Sequence, residues 1–246
     1  MWTTALASVA GTSHVLRDVP CQDASGITSM VLDGEPILLM AISDGAGSAA
    51  KAEEGSAFVV REWLAQAEAL LSTGVDRDEK MLRDLADTVR ARLFAHVDSL
   101  EGKPADYACT LLGAILFPQR ALFFQIGDGA WICRTGETFQ CPTWPYQGEF
   151  AGETVFLTSA SFASGYQTAT VESVDAVAGL TDGLERLALK MAAREPSPAF
   201  FGPMFTGLKT SAPGLAEEHL RAFLVSDRVN ERTDDDKTLL LAVKEA

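Results

Sequence analysis

Apolar residues along this chain fall in two rhythms. Trp2–Val9 alternates as a strand does, and 25–32 and 35–43 read as two strands joined by a hairpin turn at Asp33-Gly34. After Gly47-Ser48 the period changes. Ala52, Ser56, Val59, Trp63, Ala67 and Leu70 recur at helical spacing and predict a helix over 49–71, while Leu82, Leu85, Val89, Leu93 and Val97 predict a second over 78–98. Strand patterns return at 109–117 and 121–127, joined by Pro118-Gln119-Arg120, and continue at 131–134, 138–141, 168–172 and 174–181. Helical spacing then marks 184–193, 199–209 and 215–230, and a Leu-rich strand over 238–243 closes the pattern. Residues 11–23 show neither rhythm and read as a polar loop.

Strands, two helices, an antiparallel meander, more helices and a final strand do not make a βαβ alternation. The expected fold class is α+β: a four-layer α/β/β/α sandwich of two antiparallel sheets flanked by helices. No Pro/Ser-rich or low-complexity boundary interrupts the chain, so one domain over 1–246 is expected. The stretch 140–164 lacks strong periodicity but carries Phe150, Phe156 and Phe162, which suit an ordered excursion better than a linker.

Composition narrows the functional classes. The formal charge of −14 would repel a phosphate backbone or an anionic lipid surface, so neither nucleic acid nor membrane is an expected partner. Cys21, Cys109, Cys133 and Cys141 show no Cys-x-x-Cys spacing and suit reduced thiols in a cytoplasmic protein. No apolar run is long enough to span a bilayer, and the opening residues lack the basic start of an export signal.

Three apolar runs end in Asp-Gly: 37–40 leads to Asp44-Gly45, 122–126 to Asp128-Gly129, and 174–180 to Asp182-Gly183. A strand that stops there offers a carboxylate beside a backbone carbonyl, which are oxygen ligands for a hard divalent cation. Asp23 and the acidic knot Asp234-Asp235-Asp236 add further carboxylates. Asp33-Gly34 lies inside the predicted hairpin and reads as a turn without chemistry. No Gly-x-Ser-x-Gly, Gly-x-x-x-x-Gly-Lys-Ser/Thr or His-Glu-x-x-His motif is present, and His14, His96 and His219 are too few for an imidazole-rich metal site. His96 and His219 read as surface residues.

In this order the motifs resemble those of the metal-dependent type 2C serine/threonine protein phosphatases, the PPM family, in its divergent bacterial branch. The likeness runs from Gly11 to Val243. It rests on Gly11-Thr12-Ser13-His14, Cys21-Gln22-Asp23-Ala24, Ser43-Asp44-Gly45-Ala46-Gly47-Ser48, Ala108-Cys109-Thr110-Leu111, Gly127-Asp128-Gly129, Leu180-Thr181-Asp182-Gly183-Leu184 and Asp235-Asp236-Lys237-Thr238. The resemblance implies an α/β/β/α sandwich with a metal cluster at one end of its sheets. It implies that Asp44 bridges two Mn²⁺ or Mg²⁺ ions, that the Gly45 carbonyl, Asp182 and Asp235 complete one of them, and that Asp23 serves the second through water. Asp128, with Asp182, resembles the holder of a weaker third ion. The implied reaction is attack of a metal-bridging hydroxide on phosphoserine or phosphothreonine, without a phosphoenzyme. The implied setting is a cytoplasmic monomer acting on a phosphorylated protein, opposite a cognate serine/threonine kinase.

Two departures from the family pattern bear on function. Many members carry His after the first Asp-Gly, where this chain has Ala46, and the family's phosphate-binding Arg is replaced by His14, with Arg17 close by. Only a protonated imidazole brings positive charge, whereas Arg17 is charged throughout. Asp235 and Asp236 are one step apart, and the family pattern favours Asp235 as the ligand. The stretch 144–170 falls where relatives carry a variable flap, and Trp144, Tyr146, Phe150 and Phe156 are its candidate substrate contacts or packing residues. The missing His and Arg motivate an alternative function, a catalytically weak phosphoprotein-binding scaffold. A hydrolase of small phosphoesters is a further one.

Overall fold

The structure, a computed structural model, describes residues 1–146, 154–212 and 214–245. At its centre are two five-stranded sheets. One runs β1 (Trp2–Val9), β12 (Lys237–Lys244), β9 (Ala176–Leu180), β6 (Ala130–Thr135), β7 (Thr138–Thr143). The other runs β2 (Ala24–Leu32), β3 (Glu35–Ser43), β4 (Leu111–Leu116), β5 (Arg120–Ile126), β8 (Tyr166–Glu172). All neighbours in both sheets are antiparallel. Helices α2 (Ala52–Leu71) and α3 (Glu79–Ser99) cover the β2–β8 sheet, and α6 (Pro198–Thr210) and α7 (Leu215–Leu224) cover the β1–β7 sheet. This is the expected α/β/β/α layering.

The layering explains why the central strands read as unbroken apolar runs. On β3, Leu39 and Ala41 face α2 and α3, in a core with Trp63, Leu85 and Leu93, while Leu38, Met40 and Ile42 face the other sheet. On β12, Leu239, Leu241 and Val243 pack towards α6 and α7, and Leu240 and Ala242 meet Trp131 and Phe123 between the sheets. A strand buried on both faces has no polar side to alternate with. Helix α3 starts where its polar signal stands: the Asp78 side chain accepts from the Met81 N–H at 2.9 Å. The α2–α3 pair is pinned by an ion pair between Arg92 and the buried Glu62.

The chain departs from the sequence reading at several places. Residues 11–23 include a helix, α1 (Thr12–Arg17), whose six residues are too few to display a period of 3.6. The helix expected over 184–193 is a single turn, α5 (Glu185–Ala188), because Leu189 takes an extended backbone (φ −118°, ψ 143°) and joins β10 (Leu189–Lys190) to β11 (Glu195–Pro196) as a minimal hairpin. The helix expected over 215–230 breaks at Ser226, whose extended backbone (φ −67°, ψ 150°) separates α7 from α8 (Asp227–Asn230). Of the stretch read as a flap, 147–153, including Phe150, lie outside the described residues. Its final part is framework: α4 (Phe162–Gly165) leads into β8, whose Tyr166 pairs with Ile126. His219 is exposed, but His96 is half-buried, stacked on Phe58 with ring centroids 4.5 Å apart.

Candidate metal centre

Strand register decides where the predicted ligands go. Ala24 pairs with Ser43, Leu111 with Ile126, Leu180 with Leu239 and Val9 with Lys237. The start of β2, the ends of β3, β5 and β9 and the start of β12 therefore share one edge of the sandwich. There Asp44, Gly45, Asp128, Asp182 and Asp235 line a single cavity of about 180 Å³, joined by His14 and Gln22. Asp23 is 8% exposed and sits behind that wall. Asp33-Gly34 lies at the other end of the β2–β3 hairpin, with positive φ at both residues (54° and 83°), as a two-residue turn demands. A larger hollow of about 360 Å³ between α6, α7 and α8 is lined by side chains such as Phe200, Met204 and Phe223 and holds no carboxylate. Chemistry, not volume, marks the site.

Several candidate ligand positions are held by local bonding. The Asp44 N–H donates to Thr110 Oγ1 at 2.9 Å, the Thr110 N–H returns to the Asp44 carbonyl at 2.8 Å, and Ser43 Oγ donates to the Thr110 carbonyl at 2.6 Å. Gly45 is required by close approach: a Cβ there would lie 2.8 Å from the Ala52 carbonyl at the start of α2. The Asp128 turn is braced twice, by Gln125, which donates to the Gly127 and Gly129 carbonyls at 3.2 and 2.9 Å, and by Glu185, which accepts from the Gly129 N–H at 2.8 Å. Gly129 has φ of 83°, which a side chain would resist. Asp23 Oδ2 accepts from the hydroxyls of Thr181 and Thr238, both at 2.8 Å, tying β2 to β9 and β12 across the two sheets.

The acidic knot resolves into two roles. Asp235 is exposed and lines the cavity. Asp236 is 4% exposed and accepts from the Gly11 and Gln22 N–H groups at 2.7 and 2.6 Å, with His14 Nδ1 at 2.9 Å from its Oδ1. His14 is itself buried at the cavity wall, whereas Arg17 is exposed, with Nε donating to the Ser13 carbonyl of its own helix. Phe156 and Ala46 border the cavity on the side of the β3–α2 turn. Trp144 is buried and packs in the core beneath α6, and Tyr146 is half-buried against the α2–α3 core.

Electrostatically the site is unfinished without cations. Burial first, then the neighbouring acids Asp23 and Asp182, raise the Asp44 carboxyl well above the usual carboxylate range. Asp23 is likewise raised by burial, partly opposed by its two threonine hydroxyls. Asp182 is lifted to about 6 by burial and by the charges of Asp128 and Asp235, Glu185 to about 7 by burial, and Asp128 is raised by burial. Asp182 is a neighbour that raises Asp44, while Asp44 in turn lowers Asp182, so without a cation the pair favours a proton on Asp44. Asp23 Oδ1 is buried and, among the described residues, lacks a hydrogen-bond partner. Oxygen donors, mutual repulsion and an orphaned carboxylate oxygen all suit Mg²⁺ or Mn²⁺, which take oxygen ligands and keep several waters. Among the described residues no three acidic, His or Cys side chains close around one point, so the carboxylates ring the cavity without clasping a single centre. Water and backbone carbonyls would have to complete any coordination shell.

The sequence profile of the protein phosphatase 2C family matches residues 10–225. The chain belongs to the protein phosphatase 2C family. It is 40% identical over 248 residues to "Serine/threonine-protein phosphatase 3" of Escherichia coli K12, covering 98% of each chain. Among solved structures, the serine/threonine phosphatase Stp1 of Staphylococcus aureus superposes with a TM-score of 0.67 at 16% identity, covering all of this chain and 96% of that one. RsbX in complex with magnesium superposes with a TM-score of 0.59 at 15% identity, over 98% and 94% of the two chains. At those identities the structural likeness speaks for the fold, and the sequence match carries family membership. Within this phosphatase 2C fold, periodicity and motif spacing assigned no role to Thr181, Thr238, Gln125 or Glu185. Gln125 did leave a signal, as a lone amide in the apolar run 121–126. No helix among the described residues is long and apolar enough to cross a membrane.

Proposed function

We propose that this phosphatase 2C family member hydrolyses phosphoserine and phosphothreonine in protein substrates with the help of Mn²⁺ or Mg²⁺. The observation that carries the reading is the convergence of Asp44, Gly45, Asp128, Asp182 and Asp235 on one cavity at the common edge of both sheets. The E. coli serine/threonine phosphatase, at 40% identity, supports the substrate class.

On this reading Asp44, the Gly45 carbonyl, Asp182 and Asp235 would hold two cations, and Asp128 would join Asp182 in holding a weaker third. Divalent cations, when bound there, would supply an activated water and neutralise charge that builds during displacement at phosphorus. Asp23, fixed by Thr181 and Thr238, presents its unpartnered oxygen from behind the wall and orients water. His14 faces the phosphate as the one imidazole of the cavity lining, and Arg17 is turned away. Ala46 brings only a methyl group to the cavity, so no side chain after the first Asp-Gly donates a proton to the leaving oxygen. The four cysteines are free thiols, which suits a reducing cytoplasm. The same reading has the protein acting as a monomer opposite a serine/threonine kinase.

The test is hydrolysis of p-nitrophenyl phosphate and of a phosphothreonine peptide in Mn²⁺ and in EDTA. Turnover should require Mn²⁺ and fall by about 100-fold or more in Asp44→Asn and Asp182→Asn. Metal-independent turnover would contradict the proposal. Tight phosphopeptide binding without phosphate release in saturating Mn²⁺ would favour the scaffold alternative.

A further inference from the structure

Asp236 is the buried acid of the knot, and the proposed chemistry leaves it without a task. Its carboxylate is nearly sealed from solvent and spends its acceptor capacity on the amino-terminal segment: Oδ1 takes the Gly11 N–H at 2.7 Å, and Oδ2 takes the Gln22 N–H at 2.6 Å. The Ser13 N–H adds a bond to the Asp234 carbonyl at 3.0 Å. Both ends of the segment 11–22, which carries His14, are thus bolted to the start of β12.

His14 lies between those bolts, 7% exposed, with Nδ1 2.9 Å from Asp236 Oδ1. That contact is short but not aligned as a hydrogen bond, and among the described residues Nδ1 has no other partner. Its content is therefore charge and placement. Among the described residues lining the cavity, His14 is the one side chain able to carry positive charge. A carboxylate already fixed by two backbone donors makes a rigid abutment, and one placed beside Nδ1 keeps the proton on that nitrogen and leaves Nε2 for the cavity.

From this we infer that Asp236 is a positioning residue for substrate binding: it holds the His14 ring with Nδ1–H towards its own carboxylate, so that the ring, when protonated on both nitrogens, turns its Nε2–H to the phosphate. The inference rests on the reading of the cavity as a phosphomonoester site. Asp236 works through His14, so the two substitutions must not add.

The experiment is a double-mutant cycle with p-nitrophenyl phosphate in saturating Mn²⁺, joined to ¹⁵N NMR of the His14 ring. His14→Ala should raise KM by about tenfold with a smaller change in kcat, the loss expected for one charge-assisted hydrogen bond. Asp236→Asn should do much the same, and the double variant should be within about twofold of His14→Ala alone. Full additivity, or loss confined to thermal stability with KM unchanged, would overturn the inference and leave Asp236 a structural clamp. If Asp236→Asn does not fold, or if the wild type proves inactive and the phosphatase reading fails, the wild-type NMR decides alone. A proton resident on Nδ1, with Nε2 taking up or holding its own proton when inorganic phosphate is added in diamagnetic Mg²⁺, supports the inference. A ring whose Nδ1 carries no proton, or one indifferent to phosphate, overturns it.

Discussion

Replacing Asp182 by Asn should stabilise the metal-free protein at neutral pH and remove its response to Mn²⁺. In the fold, burial and the charges of Asp128 and Asp235 lift the Asp182 carboxyl from 3.8 to about 6. Between those values the folded chain holds a proton that the unfolded chain has released. The stabilising contribution is thus complete below the ordinary carboxylate range, is lost as pH rises towards about 6, and stays lost above it. A lift of roughly two units corresponds to about 3 kcal/mol. Because Asp182 is partly exposed and interacts closely with Asp44, on the order of 2 kcal/mol is the fairer figure for what its ionisation costs the metal-free fold at pH 7.5.

Asparagine keeps the shape and an oxygen for the Gly183 N–H that bonds the Asp182 side chain, and its amide can donate to Asp44. Repulsion is exchanged for a hydrogen bond. For a chain of this size the gain should appear as a rise in Tm of about 4–8 °C in EDTA at pH 7.5, shrinking to about half at pH 5, where the wild-type carboxyl is already largely protonated. Addition of Mn²⁺ at 100 times its Kd should stabilise the wild type by about 2.7 kcal/mol and the variant far less. Thermal and urea unfolding in EDTA and in Mn²⁺ make the measurement. A variant less stable than wild type in EDTA at pH 7.5, a gain independent of pH, or an undiminished Mn²⁺ shift would refute the reasoning.

Gln125→Leu should cost about 2–3 kcal/mol in urea unfolding and weaken Mn²⁺ binding, since it leaves the Gly127 and Gly129 carbonyls and the Thr143 hydroxyl without their buried partner. Glu185→Gln keeps an acceptor for the Gly129 N–H but removes a nearby charge, so calorimetric Mn²⁺ affinity should fall by about tenfold with Tm in EDTA held or raised. Asp33→Asn is the control: it breaks only the exposed pair with Arg77 at 2.5 Å, and should move stability by about 0.5 kcal/mol and leave Mn²⁺-dependent turnover as it was.

What the sequence disclosed, and what it hid, follows from length and symmetry of pattern. The apolar runs 37–42 and 239–243 could be read as strands because burial on both faces leaves them no polar positions, and α2 and α3 could be read because each offers five or more turns of one-sided burial. α1, α5 and α8 span four to six residues, less than two turns, and their boundaries are set by single backbone rotations such as those at Leu189 and Ser226. Periodicity has no purchase there. The candidate ligands were legible for a different reason: Asp-Gly at a strand end is a local pattern, and the same dipeptide at Asp33 was separable because it lay between two strands and not after one. The contacts that organise the site were not legible. Asp236 meets Gly11 across 225 positions and Asp23 meets Thr238 across 215, and no local rule links residues so far apart.

Those long-range contacts also say why the edge can carry so much uncompensated charge. Asp23, Asp44 and Asp182 repel one another, and a flexible loop so charged would move the acids apart until water screened them. Here these acids are anchored to framework that cannot yield, Asp182 through its neighbour Thr181, whose Oγ1 accepts from the Thr238 N–H at 3.0 Å. Asp44 is held through Thr110 to β4, Asp23 through the Thr181 and Thr238 hydroxyls to β9 and β12, and the 127–129 turn that carries Asp128 through Gln125 to β5. Strands sealed by apolar cores on both faces supply the rigidity, so repulsion is relieved by protons or cations and not by movement. A rigid, proton-hungry ring of oxygens binds a divalent cation by releasing protons, so Mn²⁺ affinity should rise steeply from pH 5 to pH 7 as the Asp182 carboxyl passes about 6. Calorimetry in buffers of different ionisation enthalpy counts the protons released, and binding without proton release at pH 6 would show that the carboxylates were already ionised and the strain argument wrong.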